Sequence, residues 1–470
     1  MTYKLQLDHI KVGYRFVEES KFNVRITHSP GKKIRILPFK TTPPKDVYDR
    51  FKKTIGEFSQ FASNKEALES FYPEQLISSV VDRVQTKQPS DGLKLRSILQ
   101  TLLVDDNGEL EVFHPVIFNY FSIERKKERV QLAEFLYSVL WSDKLEDQFL
   151  QLYRQVPTNS LLRIVFEVLP KLSPIQKKQT STFKNMMPDI AELFQNDMMF
   201  LMQHNQLFIE NFERLILYYY FFYVSQLALR LNRMFNAESH VLPLYFNLDW
   251  ESTSRTRTSY NEGWRQLESA IKPLFSHVNT LEMLNYHGGG PNERYSYIEL
   301  KQLFERLSEE EQLQVEDQID TLINMYKEHV QDVDWGNFQF VSNPYSNRLE
   351  KKILKLYRVI DFQFNESVRR KPYGDYQSWF TEYCKKFFLR KRGPMGYTLT
   401  MTEDNLMFIT KLCMKNRDKV RLVKLFEEYE KRGFMFDRDS KDRIVILFEK
   451  LNLLEKKSDS GDAQYVKSIL

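Results

Sequence analysis

The most regular pattern of apolar and polar positions lies between Gly396 and Leu470. Leu422, Val423, Leu425, Phe426 and Tyr429 recur at near-helical spacing, with Lys419, Lys424, Glu427, Glu428 and Lys431 left for solvent. This predicts an amphipathic helix ended by Gly433. Phe434, Met435 and Phe436 make a short apolar link. Asp437, Asp439 and Ser440 can each cap exposed amides, so a second helix is expected to start among them. That helix buries Ile444, Val445, Leu447, Phe448 and Leu451 and leaves Lys441, Arg443 and Lys450 outside. The last run, LLEKK, SDSGDA, QYVKSI, reads as a hairpin because Ser, Asp and Gly favour tight reversal. Helix, helix and hairpin describe a winged-helix-like module over 396–470, although no clear third helix is read within it.

Upstream, from Pro44 to about Ser346, helical patterns follow one another without a fixed repeat. One of them opens with Ser308 and Glu311 at capping-box spacing. Residues 1–45 alternate partially, as in KLQLDHIKVGYRF and KKIRILPF, with breaks at His28–Gly31 and Thr42–Pro44, and predict a small β segment. The expected organisation is a small β segment over 1–45, a helical body over 46–346, a basic aromatic helical segment over 347–395 and the terminal module. The fold class is mostly α, an irregular multi-helix body. Low Gly (15) and Pro (17) across 470 residues point the same way.

Ten apolar or aromatic residues run from Leu215 to Val224, about half of what a bilayer requires, and charges flank them closely. A buried central helix is the better reading, with six consecutive rings from Tyr218 to Tyr223 in an all-α core. No membrane span is expected. The amino terminus has no apolar run with a cleavage site, and Cys384 and Cys413 give neither a disulfide framework nor a zinc cluster. A cytoplasmic location fits.

The net charge of +5 is unevenly placed. Residues 351–392 carry 12 Lys and Arg against 4 Asp and Glu, whereas 1–350 carry 41 against 46. Cations at one end suit phosphate backbone, and a larger, slightly acidic body suits protein partners. Within Leu349–Arg392 the cations interleave with rings such as Tyr357, Phe362, Phe364 and Trp379, which at helical spacing are more often core than stacking platform.

The candidate DNA contacts are Lys385, Lys386, Arg390, Lys391 and Arg392 in that segment. From the second helix of the module come Arg438, Lys441 and Arg443, and from the wing Lys456, Lys457 and Lys467. Asp459 and Asp462 at the wing tip repel phosphate, so the module suits protein contact nearly as well as DNA. The hydroxyl-rich stretch 251–260 adds Arg255 and Arg257 as a weak phosphate-contact loop beside the plainer reading of a solvated loop.

Catalytic signatures do not emerge. Gly31-Lys32-Lys33 lacks the earlier glycine and the hydroxyl of a phosphate loop, because Ile26 and Lys33 stand there, and a turn is the simpler reading. Tyr286–Asn292, with three glycines, reads as a connector. Glu-x-Lys strings at Glu350 and Glu455 lie far from Pro188-Asp189, a chance-level match to a nuclease site. No catalytic residue, metal site or cofactor is assigned.

The ending LNLLEKKSDSGDAQYVKSIL and the segment LILYYYFFYVSQLALRL, Leu215 to Leu231, resemble the C-terminus and the middle region of the DptG (DndG) family, a subunit of the bacterial DNA phosphorothioation-dependent restriction system. The resemblance implies a non-catalytic subunit acting with the ATP-using F and H components against DNA that lacks the backbone sulfur. It supplies no catalytic residues to carry over. The expected function is therefore a DNA-binding or adaptor subunit in anti-phage defence. The rivals are a DNA-processing enzyme such as a nuclease, with an active site assembled from distant residues, and a purely structural linker.

Overall fold

A computed structural model describes residues 3–18, 24–28, 30–40, 42–67, 72–86, 88–106, 108–121, 126–175, 183–237, 240–290, 293–341, 345–367, 371–456 and 464–469. Among these the chain forms twenty α-helices and eight strands of two to five residues. The fold is mostly α. It divides into two compact units, one of residues 43–221 and one of 1–42 with 222–470.

In the 43–221 unit the helices Phe51–Ser63, Lys127–Leu140 and Pro188–Leu201 bury Phe58, Leu136 and Phe194. Asn119 is the polar node. Its amide donates to the Ser63 hydroxyl at 2.9 Å and its carbonyl oxygen accepts from the Tyr153 hydroxyl at 2.7 Å, so a buried amide keeps both partners. Strands β1 (Lys65–Ala67) and β2 (Leu172–Pro174) form a short antiparallel pair.

The unit boundary falls within the helix Asn205–Arg233. Twenty-nine residues without Gly or Pro propagate one helix, and a surface apolar all round demands burial. Every ring from Tyr218 to Tyr223 is buried, as expected of a central helix. No helix among the described residues is long and apolar enough to cross a membrane.

In the other unit, the N-terminal segment lies along the helix Leu274–Leu284. The Tyr3 hydroxyl donates to the Leu284 carbonyl at 2.7 Å, and the Gln6 amide to the Tyr286 carbonyl at 2.8 Å. The described residues of 1–45 contain the helix Leu7–Tyr14 and single bridges at Leu5 and Val24, not the strands that alternation predicted. Ile10 and Tyr14 are buried one helical turn apart, and that i, i+4 pair outweighs the partial alternation.

The Gly31–Ile34 turn does hold an anion, supplied by the chain itself. Its four successive amides donate to the two carboxylate oxygens of Glu282 at 2.9–3.1 Å, with Gly31 at φ +87°. The helix Glu309–His329 starts at the expected capping box, the Ser308 amide meeting Glu311 at 2.9 Å and the Glu311 amide meeting the Ser308 hydroxyl at 3.2 Å.

The terminal region adds two three-stranded sheets. Strand β3 (Asn247–Leu248) pairs in parallel with β5 (Tyr397–Met401), which pairs antiparallel with β4 (Leu389–Lys391). Then come the helix Glu403–Met414, β6 (Lys419–Arg421), helices Leu422–Lys431 and Arg438–Lys450, and strands β7 (Leu454–Lys456) and β8 (Gln464–Lys467), with β8 central between β6 and β7. The turn between β7 and β8, including Lys457, Asp459 and Asp462, lies outside the described residues. Asp437 caps the last helix by accepting from the Ser440 amide at 3.1 Å, as its position predicts. Val423 and Leu451, expected inside, are exposed because Leu422, Leu425 and Tyr429, and Ile444 and Phe448, suffice to seat the two helices.

Candidate nucleic-acid interface

Parallel pairing of β3 with β5 brings the loop that follows Leu248 beside the cations of β4. Arg390 binds the Asp249 carboxylate and donates to its carbonyl at 2.8 Å. Arg392 donates to the carbonyls of Leu248 at 2.8 Å and Glu251 at 3.0 Å. Two of the sequence-predicted DNA contacts therefore fasten a loop to a strand. An arginine has five donors on a rigid fork, and this loop offers three carbonyls in reach of it.

The same loop then grips the last helix. The Glu251 side chain is fully buried. Its Oε1 accepts from the Leu248 amide at 2.8 Å and the Ser440 hydroxyl at 2.9 Å, and its Oε2 meets Arg257 at 3.2 Å and Arg443 at 3.7 Å. Arg257 also makes a bidentate contact with Asp437 and donates to the Ser440 hydroxyl at 2.7 Å. Burial alone would raise the Asp437 pKa. The Arg257 guanidinium and the Ser440 amide more than reverse that and hold it down to about 2. The buried Glu251 carboxylate is tolerated because two arginines, a hydroxyl and an amide surround it.

Arg257 is thus not the phosphate contact its hydroxyl-rich surroundings suggested. Its side chain is only 9% exposed and its donors are engaged by Glu251, Asp437, Ser440 and the Ser252 carbonyl. Arg255 is exposed two residues away. Between the 252–257 loop and the last helix lies a polar groove of about 460 Å³, lined by Ser254, Arg257, Asp439, Asp442, Arg443 and Ile446 among others.

The remaining described candidates are exposed or partly exposed. Arg438 is exposed in the first turn of the last helix, and Lys386 and Lys391 are exposed on either side of Phe388. Lys385 pairs with Glu382 at 3.1 Å, Lys441 with Glu430 at 3.1 Å and Lys456 with Glu449 at 2.6 Å. Solvent-facing pairs of this kind contribute at most about 1 kcal/mol, so an incoming phosphate can replace the carboxylate. The Lys467 amine reaches the Asn452 carbonyl at 3.4 Å.

The structure also adds two cations that the sequence reading passed over. Lys419 and Arg421 flank buried Val420 on β6 and lie over the Tyr465 ring at 5.7 and 5.9 Å. Their alternation around one valine was the available signal, in a strand of three residues.

Loop, β4 and helix together hold Arg255, Arg257, Arg390, Lys391, Arg392, Arg438, Lys441, Arg443 and Lys450 against Asp249, Glu251, Asp437, Asp439, Asp442 and Glu449. The region is thus mixed in sign with a modest positive excess, not a broad positive field. Both cysteines are buried, and burial pushes the Cys384 thiol well up, which makes it a poor nucleophile. Among the described residues no group of three or more His, Cys, Asp or Glu is arranged to hold a metal ion. No protein-family model matches this chain, and no curated protein matches it.

Proposed function

We propose that this chain is a non-catalytic DNA-contacting or adaptor subunit of a phosphorothioation-dependent restriction assembly, working with F and H components on DNA that lacks the modification. The restriction setting rests on the two resembling segments, Leu215–Leu231 and the C-terminal ending. Contact with DNA rests on one observation above all: the element order helix, strand, helix, helix, strand, strand over 403–467, with β8 between β6 and β7.

We read that order as a winged helix, with Glu403–Met414, absent from the sequence reading, as its third helix. In such modules the last helix enters the major groove with its N-terminal half leading. Here that half carries exposed Arg438 and Arg443, while Lys419, Arg421 and Lys456 on the strands suit the backbone on either side. Asp439 and Asp442 on the same helix oppose a purely electrostatic grip and favour a module that also meets protein.

The test is a gel-shift and plasmid assay on the full chain, with and without magnesium. Expected is salt-sensitive duplex binding, plasmid left intact, and affinity reduced roughly tenfold or more in a variant with Arg438, Lys386 and Lys391 changed to alanine. Magnesium-dependent nicking would favour the nuclease reading instead. Absence of any shift at low salt, with intact co-purification of F and H components, would reduce the chain to an adaptor.

A further inference from the structure

A second cleft lies in the same unit as the interface described above, between Lys272 at the end of the helix Trp264–Ile271, the 338–339 segment and the helices Arg348–Glu366 and Lys371–Phe387. Its volume is about 670 Å³, and Phe338, Phe362, Lys272, Arg358, Asn365 and Gln377 are among its lining residues. Phe364, also in the lining, is buried between His28 and Phe275, with ring centroids at 4.7 Å, and forms the floor. Phe362 and Phe338 are only half-buried. Trp335 backs Phe362 at 5.7 Å with planes 35° apart, and Phe338 meets it edge-on at 5.4 Å.

Cations border these rings. Lys327 lies over Phe338 at 4.6 Å, and Arg358 and Lys272 are exposed on the cleft. Of the two carboxylates in the lining, Asp361 accepts from the Ser276 hydroxyl at 2.9 Å and the Asn365 amide at 3.0 Å, so its charge is dispersed within the fold. Glu366 is exposed to solvent. Flat rings held rigid from behind, side-chain amides at their level and cations at the rim are the parts needed to stack a base and hold its phosphate.

We propose that this cleft takes an unpaired base of single-stranded DNA, stacked on Phe362, with the adjoining phosphate held by Arg358 and Lys272. The proposal rests on the DNA-contacting reading and extends it from duplex to separated strand.

The experiment measures anisotropy of a labelled short oligothymidylate, an abasic strand of equal length and a short duplex, each with the full chain. The wild-type chain is expected to bind the thymidylate roughly tenfold more tightly than the abasic strand, since stacking is lost without bases. Phe362→Leu, which keeps an apolar side chain, should abolish that difference and leave duplex affinity unchanged. Arg358→Gln should weaken both single strands alike. Equal binding of the two strands by the wild-type chain, or a Phe362→Leu variant that still distinguishes them, would overturn the proposal, as would polyglutamate displacing the thymidylate at lower concentration than the abasic strand does. Duplex binding without single-strand binding would sink this proposal alone, whereas failure to bind any DNA would sink the underlying reading too.

Discussion

Glu282 shows how one side chain can organise forty residues of chain. Four successive amides, the Ile34 amide buried and the other three part-buried, converge on it. Glu282→Ala should therefore strand those donors and lower unfolding free energy by about 3 kcal/mol or more, read as a drop in the urea midpoint. An unchanged midpoint would mean the turn is not needed to seat the N-terminal segment.

His277 makes the matching statement about pH. Its ring stacks on Tyr357 at 4.2 Å, and burial, with Arg358 nearby, holds its pKa down to about 3. Only the unfolded chain takes up the proton readily, so this contribution is complete above about pH 6.5 and is lost as pH falls toward 3. Asp437 acts in a lower window, its contribution being lost from the ordinary carboxylate range down to about pH 2. The urea midpoint should thus fall between pH 7 and pH 5, and His277→Gln should flatten that slope. An equal slope in the variant would count against the assignment.

Among elements, the two helices 422–431 and 438–450 were legible because each keeps one apolar stripe and a capping or terminating residue. The helix Glu403–Met414 was not. Leu406, Phe408, Ile409, Thr410, Leu412, Cys413 and Met414 are all buried, so it shows little polar face and hence little period. Strands of two or three residues cannot display alternation, and the pairing of residue 247 with 400 spans a distance that no local pattern encodes.

Gly433 was read correctly as a terminator, but its constraint is double. It sits at φ +78°, and a Cβ there would stand 2.5 Å from the Phe222 ring. Gly433→Ala should cost about 1–3 kcal/mol, combining left-handed strain with displacement of a packed ring. A thermal shift within error of wild type would show that the link between the helices is softer than this packing implies.

For the whole molecule, composition foretold the mostly helical architecture and the concentration of cations in one segment. It did not foretell what those cations do. Arg257 and Arg392 are consumed inside the fold because their partners, Asp437 and Ser440 for the first and the carbonyls of the 248–251 loop for the second, come from distant sequence. A net charge of +5 over 470 residues therefore overstates the surface offered to DNA. If about three or four phosphates are neutralised, affinity should fall roughly forty- to a hundred-and-fiftyfold between about 50 and 200 mM salt, a shallower dependence than a dedicated repressor shows. A fall of several thousandfold would require a larger basic footprint than the one described.

Strand β3 supplies only Asn247 and Leu248, yet it closes one side of β5. An expression boundary drawn at residue 396, the start of the terminal module expected from the sequence, would cut β5 away from both β3 and β4 and bare the rows of amides and carbonyls they normally satisfy. A fragment so trimmed would carry an open, sticky border, and its clumping in solution would say nothing about whether the intact polypeptide engages DNA.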